Sequence, residues 1–503
     1  MNKKLTYLVP LVIILTGVLV SSTYIHRVEA TSTTIYIRAD GSIEPSTSPI
    51  FSGDNITYSF TDNFNASIVV ERSNIIIDGN GYTLTGPYTE VGFNLTDLTN
   101  VTIKNVNAIG FGYGIYLQSS MLNTISNSNI TFNEGNICLG NSSDNTITGN
   151  TITDGAEAIQ LYASSNNTIS GNSMNDNYNG VWSRLDSAEN VISENNITEN
   201  YNGIYLDSSS SNTISRNNVT ANHYSGIVLS LSSNNVLSGN SIIANSMWGI
   251  NPAYSNNNTI SGNNIRNNNV GINSASSDFN IVSANKIIDN RYSGIYLESS
   301  SNNRFHHNNL INNTNQVVVE LGYANNWDDG FEGNYWSNYT GVDLNRDGIG
   351  DSWLEMDENN TDHYPLMGMF SSFNTSLGLY VNVISNSTIE DFEYFEFNNT
   401  IRMHISNMTT NQTYGFSRIR IPHALMNETY HVTIDGTEPN YVNYTLSDDE
   451  ENRWIYFSYQ HSILEIVIVP EFPSFIVLPL LMIATLLAVI VCRKKQLKAL
   501  KQG

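Results

Sequence analysis

Gly203-Ile204-Tyr205-Leu206-Asp207, then Asn212-Thr213-Ile214-Ser215, then Asn217-Asn218-Val219-Thr220: this stretch decides the fold. Apolar and polar residues alternate over four or five positions, the period of a strand, and no helical i, i+3, i+4 pattern runs through it. The stretch also recurs. Its asparagines belong to two series, Asn123, Asn145, Asn167, Asn190, Asn212, Asn235, Asn258, Asn280, Asn303 and Asn150, Asn172, Asn195, Asn217, Asn240, Asn263, Asn285, Asn308, with steps of 22 or 23 residues. A Gly-Ile or Gly-Val pair keeps the same rhythm at Gly114, Gly180, Gly203, Gly226, Gly249, Gly271 and Gly294. Self-similarity at this period marks a solenoid. Leucine-rich repeats share the period, but Leu does not fill the positions they require.

Three short strands per turn of about 22 residues give an all-β parallel β-helix, with Ile204, Ile214, Val219, Ile159, Ile169 and Met174 inward. The asparagines are expected at corners, where Asn tolerates the left-handed region and its amide bonds groups left unpaired by the bend. Stacked amides can also form a ladder. Strands about 4.8 Å apart make the ten or so coils from Gly114 to Trp336 a rod roughly 45–50 Å long. Two weaker coils precede them at Ser73–Gly79 and Asn100–Lys104.

Outside the repeat the chain divides by composition. Met1-Asn2-Lys3-Lys4, an apolar run from Leu8 to Val20 and the small-residue site at Val28-Glu29-Ala30 read as a signal peptide over 1–30. An N-terminal cap with the first coils takes 31–110, the repeats take 111–336 and a C-terminal cap takes 337–370. Seven strand-like runs over 371–469 predict a small antiparallel β-sandwich that serves as a stalk. An uncharged stretch, Phe475 to Cys492, predicts a transmembrane helix over 474–492, and the basic tail 493–503 then lies in the cytoplasm. The rod is thus expected outside the cell. Cys138 and Cys492 lie far apart on this plan and predict no disulfide. A net charge of -24 excludes nucleic acid as a partner. About twenty Asn-x-Ser/Thr sequons, Asn386, Asn407 and Asn443 among them, invite glycosylation in an exported chain.

Two groups of residues carry chemistry. Asp343, Asn345, Asp347, Ile349 and Asp351 have the spacing of a calcium loop, with Gly348 at its turn; Leu354 stands where such loops place a bidentate Glu. A structural calcium ion is expected there. The second group lies on the outward face of the first strand, where Tyr116, Cys138, Gln160, Trp182, Tyr205, Val228, Asn251, Asn273 and Tyr296 stack. Two residues further on come Gln118, Tyr162, Arg184, Asp207 and Glu298. Tyr162, Trp182, Arg184, Tyr205 and Asp207 are expected to cluster, and aromatic faces beside a guanidinium and a carboxylate suit a sugar or a uronate. Asp154, Asp176 and Glu199 occupy matching positions in successive coils and are the candidate catalytic carboxylates for hydrolysis or lyase chemistry. A second aromatic row is Tyr178, Tyr201, Tyr224 and Tyr292.

The segment Asn334-Tyr335-Trp336-Ser337-Asn338-Tyr339-Thr340-Gly341, the Asp343–Asp351 run and His363-Tyr364-Pro365-Leu366-Met367 resemble the end of NosD-type β-helix proteins. The resemblance covers roughly residues 70–367. It implies a right-handed β-helix of the pectin-lyase kind, related to carbohydrate-binding and sugar-hydrolysing proteins and to a copper accessory protein. Pro470-Glu471-Phe472-Pro473 resembles the terminal signal of archaeal surface proteins. Copper needs imidazole or sulfur ligands. His306 and His307 are adjacent, so a strand sends them to opposite faces, and Met174 and Met247 sit at different positions of different coils. A dedicated copper site is not expected. The expected function is a membrane-anchored, non-catalytic module that binds glycans or envelope components, with a polysaccharide hydrolase or lyase and a copper accessory protein as alternatives.

Overall fold

A computed structural model describes residues 33–426, 430–470, 487 and 489–491. Thirteen longer strands, from Thr33–Ile37 to Asn315–Glu320, stack in one parallel sheet. Two further sheets, built mostly of three-residue strands such as Thr213–Ser215 and Asn218–Thr220, complete each coil. The coils are in register: Thr168, Val191 and Thr213 are successive partners in one short sheet, and Ser173, Asn196 and Asn218 in the other. Ile204, Ile214, Val219, Ile159, Ile169 and Met174 all point inward and are fully buried.

The asparagine ladders exist, with one correction. The ladder residues are not the left-handed ones. At each corner the residue just before the ladder Asn takes positive φ, whatever its type: Glu194 before Asn195, Arg216 before Asn217, Ala244 before Asn245. This twist turns the following Asn inward. Asn172, for example, donates its backbone N–H and one side-chain N–H to Asn195 Oδ1, both at 3.0 Å, and its other side-chain N–H to the Ile147 carbonyl at 2.9 Å. A buried amide is costly unless its groups are paired; here they are. A third ladder runs from Asn177 to Asn313 and a serine ladder from Ser209 to Ser300. The repeated glycines have a packing reason: a Cβ on Gly203 would meet the Gly226 carbonyl oxygen at 2.5 Å.

Beyond the rod, nine antiparallel strands form two sheets. One comprises Met369–Asn374, Tyr380–Ser385, Tyr414–Pro422, Asn452–Gln460 and Tyr441–Asp448; the other Ser387–Phe395, Thr400–Asn407, Leu464–Pro470 and Tyr430–Ile434. They share a core of Val383, Met403, Ile419, Val432, Phe457 and Ile466. Two strands exceed the seven runs expected: Ser387–Phe395 and Thr400–Asn407 are the arms of a hairpin where the sequence reads one run, and Met369–Asn374 adds an edge. The sandwich is fastened to the end of the rod. Asn309 and Phe370 exchange two hydrogen bonds at 2.8 Å, and Ile349, Leu366, Phe370, Phe416 and Tyr456 form a small apolar cluster.

The expected signal peptide and basic tail lie outside the described residues. So does the expected transmembrane helix, apart from Leu487, Val489, Ile490 and Val491, which are helical. Among the described residues no helix is long and apolar enough to cross a membrane. Cys138 is a buried free thiol.

Candidate functional site

The outer face of the long-strand sheet has the expected register. Gln160, Trp182 and Tyr205 are successive partners, and beside them Tyr162, Arg184 and Asp207. The Arg184 guanidinium lies 4.3 Å from the Trp182 ring centroid and 5.5 Å from that of Tyr162. It forms no ion pair within 4 Å among the described residues, Asp207 included, and its charge favours the ionised form of Glu157 on the same face. The Trp182 indole N–H and Arg184 Nε are both buried without a hydrogen-bond partner. Asn202 Oδ1 and Ser225 Oγ, on the next two coils, are likewise unpaired.

Sequence reasoning missed the third row of this face, because its residues open each long strand and look like turn chemistry. Glu157 Oε2 accepts from Asn179 Nδ2 at 2.9 Å, and Asn179 Oδ1 accepts from Asn202 Nδ2 at 3.0 Å. Burial pushes the Glu157 carboxyl up to about 7, against the opposing pull of Asn179 and Arg184. A carboxyl poised near neutrality beside an arginine and aromatic rings can bind, donate or accept a proton.

Asp154, Asp176 and Glu199 do stack, but at exposed left-handed corners past the second short strand. Asp154 accepts from Thr153 Oγ1 at 2.7 Å and Asp176 from Asn175 Nδ2 at 2.7 Å. Tyr178, Tyr201 and Tyr224 stack at 4.8 and 5.1 Å; the next ring is Trp248, while Tyr292 packs separately near Tyr296.

In the loop of the C-terminal cap the carboxylates hold backbone amides. Asp343 accepts from Asp347 N at 3.0 Å and Gly348 N at 2.9 Å, Asp347 from Ile349 N at 2.8 Å, and Asp351 from Leu344 N at 2.7 Å. Asn345 Nδ2 donates to Asp347 at 3.2 Å. Arg418 of the sandwich donates to the Asp347 carbonyl at 2.8 Å, so the loop sits at the junction.

The expectation that His306 and His307 face opposite ways is overturned. His307 is the left-handed corner residue of its coil, at φ 59°, and this brings the two Nδ1 atoms to 3.0 Å. With Asp329 they form the one set of three His, Cys, Asp or Glu side chains, among the described residues, whose ligand atoms lie within 4.8 Å of each other.

Fold and site together define a parallel β-helix with a polar, aromatic outer face. Residues 91–242 match the family described as right handed beta helix region, and residues 183–341 match periplasmic copper-binding protein (NosD). The two matches together span residues 91–341, within the stacked coils. No curated protein matches the sequence. Among solved structures, the periplasmic alginate epimerase AlgG is 15% identical over 54% of this chain and 80% of its own, with a TM-score of 0.42. The Dettilon tailspike protein is 15% identical over 80% and 87%, at 0.35. DFA-IIIase from Arthrobacter chlorophenolicus A6 is 14% identical over 45% and 67%, at 0.36. These likenesses fall below a TM-score of 0.5 and carry no weight for function.

Proposed function

We propose that the protein is an exported, membrane-anchored surface module that binds glycan chains along the outer face of its long-strand sheet. The observation that carries this reading is the stack of the Arg184 guanidinium on Trp182 and Tyr162, in which Trp182 Nε1 and Arg184 Nε have no hydrogen-bond partner. A desolvated donor without an acceptor costs about 1–3 kcal/mol. A sugar hydroxyl or uronate carboxylate supplies acceptors, and its apolar ring face suits Trp182, Tyr162 and Tyr205. Arg184 provides the fork that a carboxylate matches. On this reading the sandwich is a stalk, and a calcium ion at Asp343, Asn345, Asp347, Ile349 and Asp351 stiffens its junction with the rod. The test is retention of the protein on immobilised polysaccharides, compared with Trp182→Ala and Arg184→Ala.

One observation favours a second reading, a polysaccharide hydrolase or lyase. Glu157, raised to about 7, lies on the same face as Arg184. It is better placed for proton transfer there than Asp154, Asp176 and Glu199, whose corners are exposed. Newly formed chain ends in the same assay, lost in Glu157→Gln, distinguish the enzyme from the binding module.

A further inference from the structure

At the last coils of the rod, the corner that elsewhere is open to solvent is roofed over. The outward residue of the first short strand is serine in most coils, including Ser170, Ser215, Ser238, Ser261 and Ser283; in the last it is His306. The left-handed residue after it is His307, only 9% exposed, with its ring stacked on Phe370 of the sandwich at 4.3 Å and 15°. His307 Nε2 lies 2.9 Å from Glu332 Oε2, and Arg418 Nε donates to Glu332 Oε1 at 2.8 Å. Glu332, ion-paired with the Arg418 guanidinium, is a carboxylate and can only accept from His307 Nε2. His307 therefore carries its proton on Nε2, and Nδ1 presents a lone pair toward His306.

We infer that His306 and His307, through their facing Nδ1 atoms, and Asp329 form a site for one divalent transition-metal ion at the junction of rod and sandwich. Two nitrogens at ~2.0–2.1 Å from one ion lie about 3.0–3.4 Å apart, and these stand 3.0 Å apart already. Glu332 behind His307 is the carboxylate that metal-bound histidines commonly use to fix ring and tautomer. Asp329 Oδ1 is taken by the amides of Phe331 and Glu332, while Oδ2 lies on the histidine side, 3.8 Å from His307 Nε2. A cleft of about 600 Å³, lined by Asp329, Arg304, Trp327 and His363, opens beside Asp329. The matched family is described as copper-binding, and the donors fit that ion only in part. Two imidazoles and a carboxylate suit Cu(II) or zinc, and the set has no thiolate or thioether to favour Cu(I).

The test is equilibrium dialysis of the full-length, chelator-stripped chain against zinc and, separately, Cu(II), with bound metal counted per chain. His306→Ser restores the residue that other coils carry and so keeps the fold; the circular dichroism of the stripped variant checks this. His363→Ala, in the same cleft but outside the set, is the control. One ion per chain is expected for wild type and His363→Ala, with a higher melting temperature when loaded, and both are lost in His306→Ser. No stoichiometric binding by wild type, unchanged binding by His306→Ser, or loss in His363→Ala overturns the assignment.

Discussion

Asn172 sends both its backbone N–H and its side-chain N–H to a single atom, Asn195 Oδ1, at 3.0 Å each. That one oxygen ties two coils together by backbone and by side chain at once. The motif repeats along three corners, so the rod is held by buried polar ladders as well as by its column of Ile, Val and Leu. It follows that the ladders are fragile to truncation. Asn217→Ala leaves the backbone and side-chain N–H of Asn195 and the Ile192 carbonyl without their partners. We expect a loss of at least about 2 kcal/mol in chemical denaturation. A change within 0.5 kcal/mol, the range of ordinary surface substitutions, would contradict the ladder account.

The corner geometry predicts the opposite sign one residue earlier. Ala244 is exposed at φ 55°, a region that costs a residue with a Cβ roughly 1–2 kcal/mol. Glycine avoids that cost but is more flexible when unfolded. Ala244→Gly should therefore be neutral or stabilising by up to about 1 kcal/mol, although glycine usually weakens strands. Destabilisation beyond 1 kcal/mol in the same assay would show that the corner tolerates Cβ without strain.

Glu157 should give stability a pH dependence. Its folded value near 7 lies above the ordinary 4.5, so the folded state retains a proton that the unfolded chain has released between those values. The contribution is fully present below pH 4.5 and is lost as pH rises through 7. Its upper bound is ~3 kcal/mol. Melting curves from pH 4.5 to 8 should thus fall less steeply for Glu157→Gln than for wild type. Parallel curves would place Glu157 in an ordinary solvated setting.

Calcium should raise the melting temperature if it binds the loop of the C-terminal cap, and Asp347→Ala should abolish the rise. Asp343, Asp347 and Asp351 hold backbone amides in the described geometry, so binding requires their carboxylates to turn toward the ion. Identical melting with calcium and with chelator would leave the loop as a set of self-sufficient turns.

The rod was legible because its signals are periodic: the Asn and Gly-Ile series fix the coil length, and alternation fixes which side chains point inward. The placement of Trp182 beside Tyr205, and of Arg184 between Tyr162 and Asp207, followed from the same arithmetic. What the arithmetic does not reach is corner conformation. A left-handed residue turns its successor inward and is itself chemically anonymous, so Glu194, Arg216 and Ala244 carried no mark of the role. The same blindness hid His307, whose corner twist brings it against His306. Glu157 was missed because its elevated value comes from burial by neighbouring coils, which no local pattern reports.

Retention of the purified chain on a panel of immobilised neutral and uronate polysaccharides tests whether the face around Trp182 and Arg184 binds glycan. Retention on at least one is expected, with Arg184→Ala and Trp182→Ala each eluting earlier while melting at the wild-type temperature. Failure to be retained by any polysaccharide, or retention that both variants keep in full, would contradict it.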